Sequence, residues 1–388
     1  MKLLKYTLLL LPVILYSQEG TFENIAVNHD FLFYETKKEQ QKAVLKELDG
    51  YFSKVNIEEN FFWENPVSSF FVPYIDLSGL RQKAKEGYMP TVLAMNFEGN
   101  DCYVTLAWLG ETEYTDRLYV VYTLIVNQNL RFENIFNKQK DNFVFKKMKD
   151  VTYYGSDKKY LKRTDMRKAE MFNKKMAAFF EIPQLAYTYS VFADYVAMKN
   201  RRGFRFDTDM ALGGKYGGET FPGLKIIFSG NGSSFYPHEV VHLYTYEKFK
   251  NKHHVMDEGL ATYLGGAQGL SFYEYMEGFY RFTSKNPINL VETFREDKWL
   301  AINDTITFQN AFGALLCYVI HNRFGKTVLF ELIGRGKSSE ELLLAVKNII
   351  GVTNGKELNG YLHETLKKLI TEKTYRRDNT TSTYKRES

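Results

Sequence analysis

The sequence predicts an α+β protein of two domains, on three observations. The chain has 388 residues, whereas one domain commonly holds about 100 to 200 residues. Up to Ser229 it carries short runs rich in Val, Tyr, Thr and Phe, which favour strands. From Phe235 onward apolar residues recur mainly at helical spacing, so strands and helices are segregated along the chain, as in α+β proteins.

Residues 1–17 are predicted to be an export signal. Lys2 and Lys5 flank the start of an apolar run from Tyr6 to Leu15, and Ser17 offers a small residue for cleavage. The alternative is a buried strand or short helix. A bilayer-spanning helix needs about 20 apolar residues, and no segment of this sequence reaches that length. We therefore expect a chain exported to the periplasm or the medium, with no stable membrane anchor.

Residues 18–145 are predicted to form an N-terminal α+β accessory domain. A helix from Lys37 to Phe52 is followed by strand-like runs at Tyr103 to Leu109, Leu118 to Val126 and Phe143 to Tyr154. This order is similar to the cystatin-like and nuclear-transport-factor-like folds, in which a long helix wraps a curved sheet. An inhibitory prodomain is an alternative role for the same segment.

Residues 146–371 are predicted to form a second domain, and residues 372–388 a polar disordered tail. Four features mark the second domain before its helical part: a helix from Thr164 to Glu181, a strand from Leu185 to Ala193, a glycine-rich hairpin over 213–218 and a strand from Leu224 to Ser229. In the helical part, Ser338 and Glu341 form a capping-box pattern, and a final helix is expected from Lys356 to about Ile370.

Charge and cysteine content exclude two classes of site. The formal charge is +5. Without Lys2, Lys5 and the basic tail, the folded part of the chain is close to neutral, which argues against a nucleic-acid groove. The two cysteines, Cys102 and Cys317, both lie in apolar strings. We expect both to be buried and unpaired, and they are too few for a thiolate zinc site.

A His-Glu-x-x-His motif stands at the start of the helical part. His238 and His242 are four residues apart, so on a helix their imidazoles share one face and can bind a single zinc ion. Pro237 suits the first turn of that helix, where a missing N–H costs nothing. Glu239, beside the first histidine, is placed to take a proton from a water molecule at the metal.

A catalytic zinc site commonly has three protein ligands, and the two histidines leave one to be found. We expect the third ligand to be Glu258. In this interpretation Asp257 caps a second helix and presents Glu258 in its first turn. His253 and His254, which precede that helix, are solvated, donors on the substrate side or spare ligands.

The string from His238 to His242, together with Asp257 to Leu264, resembles the gluzincin metallopeptidases, in particular peptidase MA-like domains. The resemblance covers about residues 150–370. It implies a zinc-dependent enzyme that hydrolyses a peptide or protein substrate, with a helical glutamate as third ligand. The metzincin pattern would require Gly and His where Thr245 and Lys248 stand.

The resemblance implies two further features and contains two departures. The strand from Leu224 to Ser229 would be the edge strand that binds extended substrate. The segment from Asn310 to Gly325 resembles the helix that often carries Tyr-x-x-Gly in the family. Asn310 stands where that helix often has an oxyanion-stabilising Tyr, and Thr262 stands where the family often has an Asp. Asn310 is therefore a candidate oxyanion donor, with a supporting role in the core as the alternative.

Two other functions remain open on the sequence. One is a catalytically degenerate gluzincin-like domain that acts as a metal-containing binding module. The other is a zinc hydrolase that does not act on peptides, although a deformylase-like site would need a cysteine ligand. The sequence does not indicate an oligomeric state.

Overall fold

A computed structural model of the protein describes residues 22–28, 33–55, 87–111, 116–140, 142–207, 210, 217–296, 300–335 and 338–384. The predicted export signal over residues 1–17 lies outside these ranges. The chain folds into two compact units, Met1–Lys138 with Arg201–Thr208, and Gln139–Asn200 with Asp209–Ser388.

The described strands, in chain order, are β1 (Ala26–Val27), β2 (Tyr88–Glu98), β3 (Asp101–Glu111), β4 (Asp116–Val126), β5 (Phe132–Asn134), β6 (Val144–Met148), β7 (Val151–Gly155), β8 (Tyr187–Val191), β9 (Phe204–Asp207), β10 (Gly218–Phe221) and β11 (Ile226–Ser229). The described α-helices are α1 (Lys38–Val55), α2 (Ile135–Lys140), α3 (Arg163–Phe180), α4 (Tyr195–Arg201), α5 (Pro237–Lys248), α6 (His254–Gly265), α7 (Phe272–Lys285), α8 (Leu290–Arg295), α9 (Phe308–Arg335), α10 (Ser339–Ile350) and α11 (Gly355–Tyr384). The protein is therefore α+β.

The first unit is a sheet in the order β1-β2-β3-β4-β5, with helix α1 beside it. The helix buries Val44, Leu45, Leu48 and Phe52. The ring of Phe52 meets that of Trp108 on β3 edge-on at a centroid distance of 5.5 Å. The apolar residues that predicted this helix therefore form its core-facing side, and the prediction of the helix is confirmed.

Strand β9 joins this first sheet although it begins 70 positions after the end of β5 in the chain. It pairs antiparallel with β4, with Phe206 opposite Val121. The predicted second domain, residues 146–371, included Arg201–Thr208, whereas these residues belong to the first unit. Four residues are too few to show a strand period, and the pairing depends on a distant partner.

The second unit contains a mixed sheet in the order β10-β11-β8-β7-β6. Strands β7, β8 and β11 are parallel, whereas the two outer strands run antiparallel to their neighbours. The run from Leu224 to Ser229 was predicted as the edge strand, and this is wrong. The strand in that run, β11, is internal, and β10 forms the edge.

The run from Phe143 to Tyr154 is two strands rather than one. Lys149 has a φ angle of 49° between β6 and β7, so the chain turns back there and the two strands pair as a hairpin. A non-glycine residue with positive φ is uncommon, which is why the composition gave no turn signal.

Helices α6 and α9 cross through a pair of glycines. A methyl group on Gly259 would lie 2.2 Å from the carbonyl carbon of Gly313, so only glycine fits at this crossing. The close approach brings the N-terminal part of α9, which includes Asn310, beside Glu258 on α6. Helix α9 is interrupted at Gly325, which has φ 88° and ψ 171°.

Helix α11 continues past the predicted end near Ile370 and runs to Tyr384. It therefore extends into the segment over 372–388 that was predicted to be a disordered tail. In the part of the chain that the structure describes, no helix combines the length and the apolar character needed to cross a membrane.

Candidate metal centre

Helix α5 presents its two histidines side by side. Pro237 is at its first turn, as predicted, and supplies a fixed φ where no N–H is needed. His238 and His242 are 4% and 9% exposed, and their ring centroids are 4.9 Å apart. The i, i+4 spacing thus places both imidazoles on one buried face.

Glu258 on helix α6 completes the group. Its Oε2 atom lies 3.4 Å from His238 Nε2, and its Oε1 atom lies 3.5 Å from His242 Nε2. Candidate ligand atoms of the three side chains all lie within 4.8 Å of one another. Zinc bonds of about 2.0 to 2.2 Å at tetrahedral angles separate neighbouring ligand atoms by roughly 3.3 to 3.6 Å. The two measured separations match this range, and nitrogen and oxygen donors suit zinc, so the three residues could hold a zinc ion.

Each histidine is oriented by a partner at its other ring nitrogen. The Nδ1 atom of His238 is 2.8 Å from the carbonyl oxygen of Gly266, so it must carry the proton that this oxygen accepts. The Nδ1 atom of His242 is 3.2 Å from Oδ2 of Asp257. Such partners fix the tautomer and leave Nε2 of both rings available as ligand atoms.

Asp257 has a different role from the predicted helix cap. Helix α6 begins at His254, and the ring of His253 caps it by accepting from the backbone N–H of Val255. Asp257 lies inside the first turn. Its carboxylate accepts from the hydroxyl of Thr245 at 2.6 Å and pairs with the Lys252 ammonium at 2.6 Å while it faces His242.

Glu239 lies against the edge strand β10. Its Oε2 atom accepts a hydrogen bond of 2.7 Å from the hydroxyl of Thr220. Burial raises the pKa of the Glu239 carboxyl, and the neighbouring His238 and His242 act in the opposite direction. A carboxylate with a raised pKa, next to two candidate ligands, is better suited than an ordinary glutamate to accept a proton.

The cluster couples a histidine charge to two carboxylates. Burial lowers the pKa of His242, but the negative charges of Glu258 and Asp257 outweigh it and raise that pKa to about 9. Burial raises the pKa of Glu258, but His242 and His238 outweigh burial and lower it to about 2. The pKa of Asp257 is held well below its usual range by His242 and Lys252, against the effect of burial. The protonated form of the His242 imidazole is thus favoured between these two carboxylates.

Asn310 contacts the predicted third ligand directly. Its Nδ2 donates to Oε2 of Glu258 at 3.2 Å. This contact orients a candidate ligand, a role that differs both from an oxyanion donor and from a supporting role in the core. An oxyanion role for Asn310 stays a prediction.

His253 and His254, the two other histidines near the motif, have different surroundings. His253 serves as the cap of α6, and its ring lies 5.9 Å from that of Phe294. His254 is exposed.

Thr262, where the resemblance suggests an acidic residue, is buried in α6. Cys102 and Cys317 are buried and free, as expected.

Four residues at this centre were not predicted as site residues from the sequence: Thr220, Thr245, Lys252 and Gly266. The first comes from the sheet, and Gly266 acts through its backbone, so no side-chain pattern could reveal either. Thr245 does follow His242 by three residues, on the same side of the helix, which is a weak signal for a partner of the second histidine.

Comparison with protein-family models, with curated proteins and with solved structures gives no match for this chain.

Proposed function

We propose that this protein is an exported zinc metallopeptidase of the gluzincin type. The observation that carries the proposal is the grouping of His238, His242 and Glu258 around one point, with the carboxylate of Glu239 beside them. Three nitrogen and oxygen ligands, with a carboxylate adjacent to the first, are the residue set of a hydrolytic zinc site.

The roles of the residues follow from their contacts. Zinc, when bound, would polarise the scissile carbonyl and acidify water. His238, His242 and Glu258 would hold the ion, and Gly266 and Asp257 would keep the two imidazoles in the tautomer that binds it. Glu239 would take a proton from the attacking water and return it to the leaving amine.

Strand β10 supports a peptide as substrate. Among the described residues it is one of the two edge strands of the sheet in the second unit, and Thr220 on this strand contacts Glu239. An extended peptide can pair with the backbone of an exposed edge strand, which places its carbonyl groups at a fixed distance from that strand. The role first assigned to the run from Leu224 to Ser229 therefore passes to Gly218–Phe221.

A second candidate function is a metal-containing binding module. The observation that favours it is the contact between Asn310 and Glu258, because an amide engaged with a ligand is less free to donate to a developing oxyanion. The two functions differ in whether bound peptides are cleaved.

The test compares wild-type protein with Glu239→Gln after zinc loading, using a mixed peptide library and mass spectrometry. The matched control is Glu247→Gln on the same helix, since Glu247 forms a surface ion pair with Lys225. Wild type and control should cleave the same peptides, and Glu239→Gln should bind zinc but hydrolyse at least about 100-fold more slowly. Equal turnover by Glu239→Gln would contradict the proposal, and an uncut library with stoichiometric zinc would support the binding module.

A further inference from the structure

We infer that Thr220 is a positioning residue for Glu239, and that strand β10 holds the reactive carboxylate through it. The inference rests on the proposed function, because it assigns Glu239 the role of general base. It adds a residue from the sheet to a site whose other members come from helices α5, α6 and α9 and the chain beside them.

The first observation is a pair of short contacts from one hydroxyl. Oγ1 of Thr220 lies 2.7 Å from Oε2 of Glu239 and 3.0 Å from the backbone oxygen of the same residue. Hydroxyl hydrogen bonds to a carboxylate are among the stronger ones in proteins. The hydroxyl has one proton to share between these acceptors, and Oε2 is the carboxylate oxygen that it orients.

The second observation is the absence of a side chain two residues earlier on the same strand. A methyl group on Gly218 would lie 2.7 Å from Cγ, 3.0 Å from Cδ and 3.0 Å from Oε1 of Glu239. Residues two apart in a strand share a face, so Gly218 and Thr220 both lie against the carboxylate of Glu239. Gly218 leaves the space that the side chain of Glu239 occupies, and Thr220 fixes its orientation.

The opposite face of β10 also makes polar contacts that hold the strand in place. Glu219 lies between these two residues and pairs with the ammonium of the buried Lys199 at 2.5 Å. The hydroxyl of Tyr195 donates to the same carboxylate at 3.3 Å. The backbone of β10 pairs with β11 along its whole length, with Thr220 opposite Ile227.

The consequence is a direct link between peptide binding and catalysis. A peptide that pairs with β10 would bond to the strand that orients Glu239. The same strand would then position both the general base and the scissile bond. Removing the hydroxyl of Thr220 should free the carboxylate to rotate, while the backbone of β10 stays in place. The rate of the chemical step should fall, and peptide affinity should change little.

The experiment compares Thr220→Val, which removes the hydroxyl and keeps the shape, with Thr220→Ser, which keeps the hydroxyl. The matched control is Thr188→Val on strand β8 of the same sheet. For a library peptide, Thr220→Val should lower kcat about 10-fold or more with KM within about twofold, because a hydrogen bond to a charged group is lost. Thr220→Ser and Thr188→Val should remain within about twofold of wild-type kcat, and all variants should hold equal zinc.

Crystal structures of wild type and Thr220→Val give a second readout that needs no turnover. The Glu239 carboxylate should be ordered against β10 in wild type and displaced in Thr220→Val. An unmoved carboxylate, or a Thr220→Ser variant as slow as Thr220→Val, would overturn the inference. Failure of wild type to cleave any peptide would overturn the proposed function instead, and the crystal structures would still decide the role of Thr220.

Discussion

Nδ1 of His242 lies 3.2 Å from Oδ2 of Asp257, the residue immediately before Glu258. One turn of helix α6 therefore supplies both a candidate ligand and the group that orients another. Adjacent residues on a helix point in directions about 100° apart. Asp257 can thus reach behind the imidazole of His242 while Glu258 faces its Nε2 atom.

Replacing Asp257 with Asn should weaken zinc binding about 10- to 100-fold, because the partner that fixes the tautomer of His242 loses its charge. Competition with a chromophoric chelator measures the affinity. Asp304→Asn changes an exposed carboxylate in the same unit and should bind zinc as wild type does. Unchanged affinity in Asp257→Asn would show that Asp257 does not orient the ligand.

Zinc affinity should rise with pH up to about 9. The carboxylates of Glu258 and Asp257 raise the pKa of His242 to about 9 despite burial, so at neutral pH the metal-free protein carries a second proton on this ring. Zinc must displace that proton, and binding becomes easier as it is lost. Calorimetry at pH 7 in buffers of different ionisation enthalpy should report proton release, and binding without it would contradict the shifted pKa.

The stability of the metal-free protein should show the opposite trend. A raised pKa of His242 means that its contribution is fully present below its ordinary value of 6.5 and is lost as pH rises through about 9. The lowered pKa of Glu258 gives a contribution present above its ordinary value of 4.5 and lost as pH falls through about 2. Denaturant unfolding of the metal-free protein should therefore show lower stability at pH 9 than at pH 6, and His242→Asn should reduce this difference.

Replacing Gly259 with Ala should destabilise the protein by about 1 to 3 kcal/mol or more, because the new methyl group overlaps the backbone of Gly313, which cannot rotate away. Gly360→Ala is the matched control, since its methyl group meets nothing within 4 Å. That control lies in helix α11 and should be neutral or stabilising by about 0.5 to 1 kcal/mol. Denaturant midpoints measure both, and equal midpoints would contradict the close crossing of α6 and α9.

Replacing Asn310 with Ala separates its two candidate roles. The contact with Glu258 predicts weaker zinc binding, by less than about tenfold, with kcat of the zinc-saturated enzyme changed little. An oxyanion donor would instead lower kcat about 100-fold or more with zinc affinity unchanged. Chelator competition and steady-state kinetics on one preparation give both quantities.

The sequence predicted the parts of the site that depend on local spacing. The interval between His238 and His242, and the Pro before them, fix a helix face without reference to the rest of the fold. The capping box at Ser338 and Glu341 is confirmed for the same reason.

The parts that were missed depend on contacts between distant segments. Thr220 meets Glu239 only because β10 forms the edge of the sheet, and strand order is not encoded in a run as short as Gly218–Phe221. Asp257 was assigned to a cap because Asp is a common cap, whereas the ring of His253 takes that position and leaves Asp257 to His242.

The measurement that tests the account most directly is an anomalous difference map, recorded at the zinc absorption edge on crystals of the zinc-loaded protein. The account predicts one strong peak about 2.0 to 2.2 Å from His238 Nε2, His242 Nε2 and a carboxylate oxygen of Glu258. A map without a peak between these three side chains, at saturating zinc, would contradict it.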